Sequence, residues 1–567
     1  MQSSSRQDRS LRAPERSWRE PARRWAVPAA ATVLMAAGVA HWFDPYLVVD
    51  DAFISFRFAD NLARGLGLVY NAGERVEGYS NFLWTVLLAA GARAGLDIVQ
   101  LSIVLALLAA LATVVLLCLW SRRIFERGAP GARKAGGLLP ALAAALPPLL
   151  FAATGSQARY VVSGLETLLF GFLISWAAFL LAERRAPLAA GCVFGLAAMT
   201  RPEGAMYAAA AAAVVLLAWP ERRRQVLLLG AGLLALLLPY LAWRWSYYGD
   251  LLPNTYYAKA AGWSLARMER GGALLAEVAG QWSVYPLALA ALCALPAVRA
   301  SRSLQLSAAF VAITPFYFVA VGGDFLPFFG PRFLMPALPA LLLLAAAGLA
   351  NLARWCGNRP AVGAAGAIVL AANALWLAWP ARHFHRAELA AVMESWEDLG
   401  RWIGSATPPA TVIADGGAGI VPFYSRRTNI DMYGLADRHI GHMAPLETGF
   451  KMVAHEKYDP RYVLSRKPDL LITGLDRQRT PRTAGLARVA DWMWACYRPW
   501  MLLRAGRGPD GGWLLPSRVF NAALFDAGFH TAVLERRTGR GAATCAAYDA
   551  LAAAEAGRGS GDAGGVR

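Results

Sequence analysis

Charge is scarce in this sequence. Asp, Glu, Lys and Arg make up 17% of its 567 residues, where an ordinary globular chain sits near a quarter. A chain so poor in charge is not organised as a soluble globular protein throughout. Histidine and cysteine are also few, at 7 and 6, and no group of them has the spacing of a zinc site. No phosphate-cradling glycine loop follows a strand pattern, and no serine sits in a nucleophile elbow. These absences argue against nucleotide-driven chemistry, zinc modules and serine hydrolysis.

Hydrophobic residues, by contrast, reach 57%. They fall into separate runs, several of them near the ~20 residues that a helix needs to cross a bilayer. The runs stop near Pro380. The expected architecture is therefore a polytopic α-helical membrane protein, with a basic cytoplasmic tail (1–24), a transmembrane domain (25–380), a soluble domain (381–553) and a disordered tail (554–567). The net charge of +18 does not point to nucleic acid, because the basic clusters (Arg122 and Arg123, Arg133 and Lys134, Arg184 and Arg185, Arg222 to Arg224) lie between apolar runs. Positive-inside topology accounts for them. The tail before Trp25 lacks a cleavage pattern, so the first run is expected to stay as an anchor.

Spans are expected at about 25–43, 101–120, 137–153, 162–182, 187–200, 204–219, 226–246, 282–298, 304–321, 333–353 and 361–380, about eleven in all. Residues 48–62 have apolar positions at helical spacing and predict an amphipathic interfacial helix. Residues 81–95 are apolar but short, and a crossing there would put the basic cluster after Trp120 outside, so this segment too is expected to be interfacial. The soluble domain then lies outside the cell. It opens with a helical run (385–403) and a strand pattern (411–416), which suits an α/β or α+β fold. Cys118, Cys192 and Cys293 fall in apolar runs as small hydrophobes. Cys496 and Cys545 share the outer domain and form a candidate disulfide, two unbonded thiols being the alternative.

Ionisable residues beside the spans carry the chemistry. Asp50 and Asp51 directly follow an apolar run, where carboxylates are costly, and are the candidate catalytic pair: one takes a proton from an attacking hydroxyl while the other holds the acceptor. The competing reading is a solvated helix start. Arg332, ending the 322–332 loop, suits an anionic phosphate, with Lys259 as a second positive contact. Tyr256 and Tyr257 suit a sugar face or an aromatic belt. Arg57, Glu77, Glu166, Arg201, Glu203 and Asp324 are expected to line the same cavity, although an Arg–Glu pair also arises as a self-neutralised helix end. No cofactor is expected; a divalent cation beside the aspartates is an open alternative.

The order of Asp50–Asp51, the 70–77 segment Tyr-Asn-Ala-Gly-Glu-Arg-Val-Glu, Ser163-Gly164-Leu165-Glu166-Thr167, Arg201-Pro202-Glu203, Tyr247-Tyr248-Gly249 and Gly322-Gly323-Asp324 resembles the GT-C superfamily of polyprenyl-phosphate-dependent glycosyltransferases. It is most similar to the terminal arabinofuranosyltransferases of the mycobacterial cell wall, over about residues 45–340. The 322–332 loop departs from the arabinosyl pattern: it is longer before its arginine and rich in proline and phenylalanine. The resemblance implies a first outer loop folded beside a cavity, an acidic base there, and an outer C-terminal domain that helps hold a glycan. It further implies a polyprenyl-phosphate-linked sugar, arabinofuranose by similarity, moved to a cell-envelope glycan at the outer face of a bacterial plasma membrane. Membrane lipids are the other expected partner, and nucleic acid is not. The alternatives are a transporter or flippase of lipid-linked glycans, whose matched broken helices are not seen, and a GT-C enzyme with another sugar or a protein acceptor.

Overall fold

A computed structural model describes residues 19–127, 138–260, 264–281, 285–324, 330–357, 359–378, 386–444, 457–474, 478, 480–504, 514–516, 529–538, 542 and 545–550. The 554–567 tail, most of the basic N-terminal tail, the Arg133–Lys134 cluster and residues 325–329 of the 322–332 loop lie outside them.

The chain is a multi-pass membrane protein. Six described helices are long and apolar enough to cross: Trp25–Trp42, Ile98–Phe125, Thr167–Arg184, Gln225–Tyr248, Arg302–Ala320 and Met335–Trp355. The pair Leu139–Ala153 and Gly155–Val162, bent by 46°, makes a seventh if counted as one. The count of about eleven is therefore not reached by length. Two of the four remaining segments are the apolar helices Pro187–Thr200 and Gly204–Ala218, of 14 and 15 residues, broken from each other at Arg201. At 1.5 Å per residue each falls short of a ~30 Å hydrocarbon core. Small residues let the first approach its neighbour closely: a Cβ on Gly191 would lie 2.1 Å from the Leu229 carbonyl oxygen, and one on Gly232 2.2 Å from that of Leu188. Without a hydrophobic drive between helices in lipid, such close backbone contact supplies the association.

α1 (Arg19–Trp42) is followed by α2 (Asp50–Ala63), whose acidic first turn complements the helix dipole. Next comes α3 (Phe82–Arg93), with 12 residues. It spans ~18 Å and does not cross. The long α4 (Ile98–Arg122) starts where Asp97 accepts a hydrogen bond from the Gln100 amide at 2.8 Å.

The C-terminal domain is a mixed sheet in the order β2-β1-β3-β6-β4-β5. Its strands are β1 (Val412–Asp415), β2 (Thr428–Asp431), β3 (Leu470–Gly474), β4 (Tyr497–Arg504), β5 (Leu514–Pro516) and β6 (Phe529–Arg536). The first three are parallel and β6 runs antiparallel to β3 and β4. Period-two alternation divides its core. Ile413, Leu470, Ile472 and Val533 pack with Leu399 and Ile403 of helix Arg386–Ala406 on one face. Ala414, Leu471, Ala532 and Leu534 pack on the other with Cys496 and Cys545, which are joined as a disulfide.

The carboxyl ends of β1 and β2 meet the segment that follows α1. Ile420, in the short helix Ile420–Ser425 after β1, is buried in the apolar cluster of the membrane domain. Phe423 packs edge-on against Phe53 of α2 at 5.4 Å.

Candidate functional site

Two ion networks meet at one rim of the membrane domain. In the first, the Arg332 guanidinium donates to Asp324 and, at 3.3 Å, to Asp51. Burial opposes its charge, but Asp324 and Asp51 outweigh that and hold its pKa above the usual value. In the second, Arg201 donates to Glu203 at 2.6 Å and to Glu166 at 3.2 Å. The other Glu166 oxygen accepts from the Asn81 side-chain amide at 2.8 Å, and Asn81 Oδ1 accepts from the Ser55 hydroxyl of α2 at 2.9 Å. Phe333 joins the two, with Arg201 4.7 Å and Arg332 5.7 Å from its ring centre. Residues 51, 166, 201, 203, 324 and 332 thus form one constellation, assembled from the start of α2 and three loops between helices of the membrane domain.

The adjacent aspartates point to different partners. Asp51 turns into the Arg332 network with its side chain 38% exposed. Asp50 turns to the C-terminal domain, and its Oδ1 accepts the Ile420 amide at 2.7 Å. Burial pushes the Asp50 carboxyl up to about 7; the Ile420 and Gly419 amides pull it down, and Asp51 and Asp431 push it further up. Asp415 and Asp431, at the ends of β1 and β2, are raised to about 8 and about 6, again mainly by burial.

Five residues grouped with these in sequence stand elsewhere. Arg57 meets backbone carbonyls and Asn71, not the Arg332 network. It is buried and spans the domain junction, donating to the carbonyls of Tyr70 at 2.8 Å and Arg427 at 2.6 Å, to Asn71 at 3.0 Å, and to Pro422. Glu77 pairs with Arg244 at 2.6 Å, and its carbonyl accepts the Asn254 amide at 2.9 Å. It ties the end of helix Gln225–Tyr248 to the loop after α2. Tyr257 stacks on His442 at 4.1 Å, and its carbonyl accepts from Lys457 at 2.8 Å, so it faces the C-terminal domain. Lys259, on the same helix Asn254–Ala260, makes no ion pair among the described residues and is not joined to Arg332. The ring of Tyr256, 40% exposed, packs edge-on against Tyr257 at 5.7 Å.

Among the described residues the one set of His, Cys, Asp or Glu atoms close enough to share a metal ion is Cys496, Cys545 and Asp549. Its sulfurs are consumed by the disulfide. Sequence reasoning missed Asn81, Phe333, Gly419 and Ile420. Asn81 and Phe333 carry no charge pattern, and Ile420 lies 370 residues from Asp50.

Comparison with known proteins gives three findings. A domain of unknown function, DUF8728, matches residues 383–512. The chain is 32% identical over 223 residues to the terminal beta-(1->2)-arabinofuranosyltransferase of Mycobacterium tuberculosis (strain ATCC 25618 / H37Rv), a match that covers 38% of this chain and 35% of that protein. The chain thus spans about a third of the length of that relative. Its architecture is similar to ArnT from Cupriavidus metallidurans. In the apo state the TM-score is 0.52 at 15% identity, over 90% of this chain and 98% of that one. For ArnT bound to undecaprenyl phosphate it is 0.50 at 16% identity, over 71% and 84%. At such identity the likeness is one of fold.

Proposed function

We propose that this chain, whose fold is that of the GT-C superfamily, is a membrane glycosyltransferase that moves a sugar from a polyprenyl-phosphate donor to a cell-envelope glycan. Arabinofuranose is the proposed sugar, on the strength of the mycobacterial relative. The ArnT complex with undecaprenyl phosphate supports a lipid-phosphate donor. The observation that carries the reading is the Asp51–Arg332 pair, a half-exposed carboxylate beside a guanidinium at the head of the span Met335–Trp355.

In this reaction Asp51 takes the proton of the acceptor hydroxyl as its oxygen attacks the anomeric carbon. The bond from that carbon to the phosphate oxygen breaks, and the phosphate leaves with the electron pair as a monoester of one more negative charge. Arg332 offsets that charge. The two events are coupled: once Asp51 is protonated its hold on Arg332 weakens, and the guanidinium becomes available as the phosphate gains charge. Asp324 keeps Arg332 in place throughout. Asp50 is not proposed as the base, because its carboxylate is taken up by the Ile420 amide.

We place the site and the C-terminal domain on the outer face of the plasma membrane. The Cys496–Cys545 disulfide supports that side, since such bonds persist in oxidising compartments. The test is transfer of labelled sugar by purified protein from a panel of polyprenyl-phosphate sugars to an arabinan oligosaccharide. Transfer from the arabinofuranose donor is expected. Transfer from a different donor would discard the sugar, and inactivity with every donor would overturn the enzyme reading.

A further inference from the structure

The start of α2 is gripped from two sides. On the membrane side the Val49 amide donates to the Ser163 carbonyl at 3.1 Å, and a Cβ on Gly164, whose φ is +79°, would lie 2.9 Å from that of Ala52. On the other side Gly419 presses on Asp50: a Cβ there would fall 2.0 Å from the Asp50 carbonyl oxygen and 2.5 Å from Oδ1. No side chain fits at position 419 without moving α2. The Ile420 amide then binds Oδ1 itself. Further along the helix Arg57 binds the carbonyls of Pro422 and Arg427, and Tyr70 donates to that of Ala418 at 2.7 Å. Two of these contacts bracket the Gly419–Ile420 turn.

We infer that the C-terminal domain sets the catalytic base: Gly419 and Ile420 hold Asp50, and through it fix the first turn of α2 so that the Asp51 carboxylate meets Arg332. Asp50 and Gly419 are positioning residues, and the domain is part of the site as well as a glycan holder. Asp51 follows Asp50 directly, so a slip of Asp50 by one ångström moves the base by about the same amount. Misplacement of that size costs catalysis about 10²-fold. The inference rests on the glycosyltransferase reading for the role of Asp51 as the base, while the grip on α2 rests on the geometry alone.

The Asp50 carboxyl faces Asp51 on its own helix and Asp415 and Asp431 on β1 and β2; among the described residues no cation pairs with it. Near neutral pH it passes from a neutral to a charged acceptor, and the grip on the Ile420 amide is expected to change with it.

The test compares Asp50→Ala, Asp50→Asn and Gly419→Val in the full-length protein, by kcat, KM for donor, pH profile and hydrogen exchange at the α2 amides. Asp50→Ala and Gly419→Val are expected to lower kcat about 10²-fold with little change in KM, and to raise exchange in the first turns of α2. Asp50→Asn keeps an acceptor for the Ile420 amide. It is expected to recover at least tenfold of the rate lost in Asp50→Ala, and to flatten the profile near pH 7. Equal loss in Asp50→Asn and Asp50→Ala with α2 exchange unchanged would make Asp50 the base and overturn the inference, as would an unimpaired Gly419→Val. If the wild type transfers no sugar, the functional reading fails, and exchange at α2 still decides the grip.

Discussion

The two sides of the site treat buried carboxylates differently. On the membrane side every acid has a guanidinium: Glu166 and Glu203 share Arg201, and Asp51 and Asp324 share Arg332. On the side of the C-terminal domain, Asp50, Asp415 and Asp431 face backbone amides and one another. Amides alone do not repay the loss of water, so those three carboxyls rise to about 7, 8 and 6. The membrane half is a fixed ionic frame. The junction with the C-terminal domain is a joint whose charge changes near neutral pH.

The largest expected effect comes from breaking the frame. Arg201→Ala leaves two buried glutamates unpaired, at about 3–5 kcal/mol, and thermal unfolding followed by tryptophan fluorescence should show a collapsed or aggregated protein. Next is the joint itself. Arg57→Ala removes four donor contacts between α2, its following loop and the C-terminal domain, and limited proteolysis should release the C-terminal domain at least tenfold faster while the membrane domain stays intact.

A pH change probes the same joint more gently. Acids whose folded pKa is raised bind more protons folded than unfolded between about pH 4 and their folded values. Their penalty is absent below about pH 4, grows as pH rises, and is complete above about 8. Proteolytic release of the C-terminal domain should therefore increase from pH 6 to pH 8; a flat or opposite trend would remove the joint from the account. The smallest effect is expected for Lys259→Ala, which should change donor KM less than threefold. A tenfold rise in KM would restore Lys259 as a phosphate contact.

Much of the membrane half was legible in the sequence because its signals are local. Glu166, Arg201, Glu203, Asp324 and Arg332 are charges at the ends of apolar runs, where only a partner or a substrate makes them tolerable. The interfacial reading of residues 81–95 came from the charge rule and agrees with the 12 residues of α3. The span count was less readable: the sequence already separates 187–200 from 204–219 at Arg201, but hydropathy alone does not say whether helices of 14 and 15 residues cross. The partners of Arg57 were hidden for another reason. Its acceptors Pro422 and Arg427 are carbonyl oxygens 365 and 370 residues away, and any residue could supply them. The division of labour between Asp50 and Asp51 was equally hidden, since neighbours on a helix point about 100° apart and only the tertiary fold says what each meets.

The most direct test of the central claim is the initial rate of sugar transfer from polyprenyl-phosphate arabinofuranose by Asp51→Asn, with donor binding and thermal stability measured on the same preparation. Loss of at least 10²-fold in rate, with donor binding and melting unchanged, is the predicted result. A rate within threefold of wild type would contradict the assignment of Asp51 as the base.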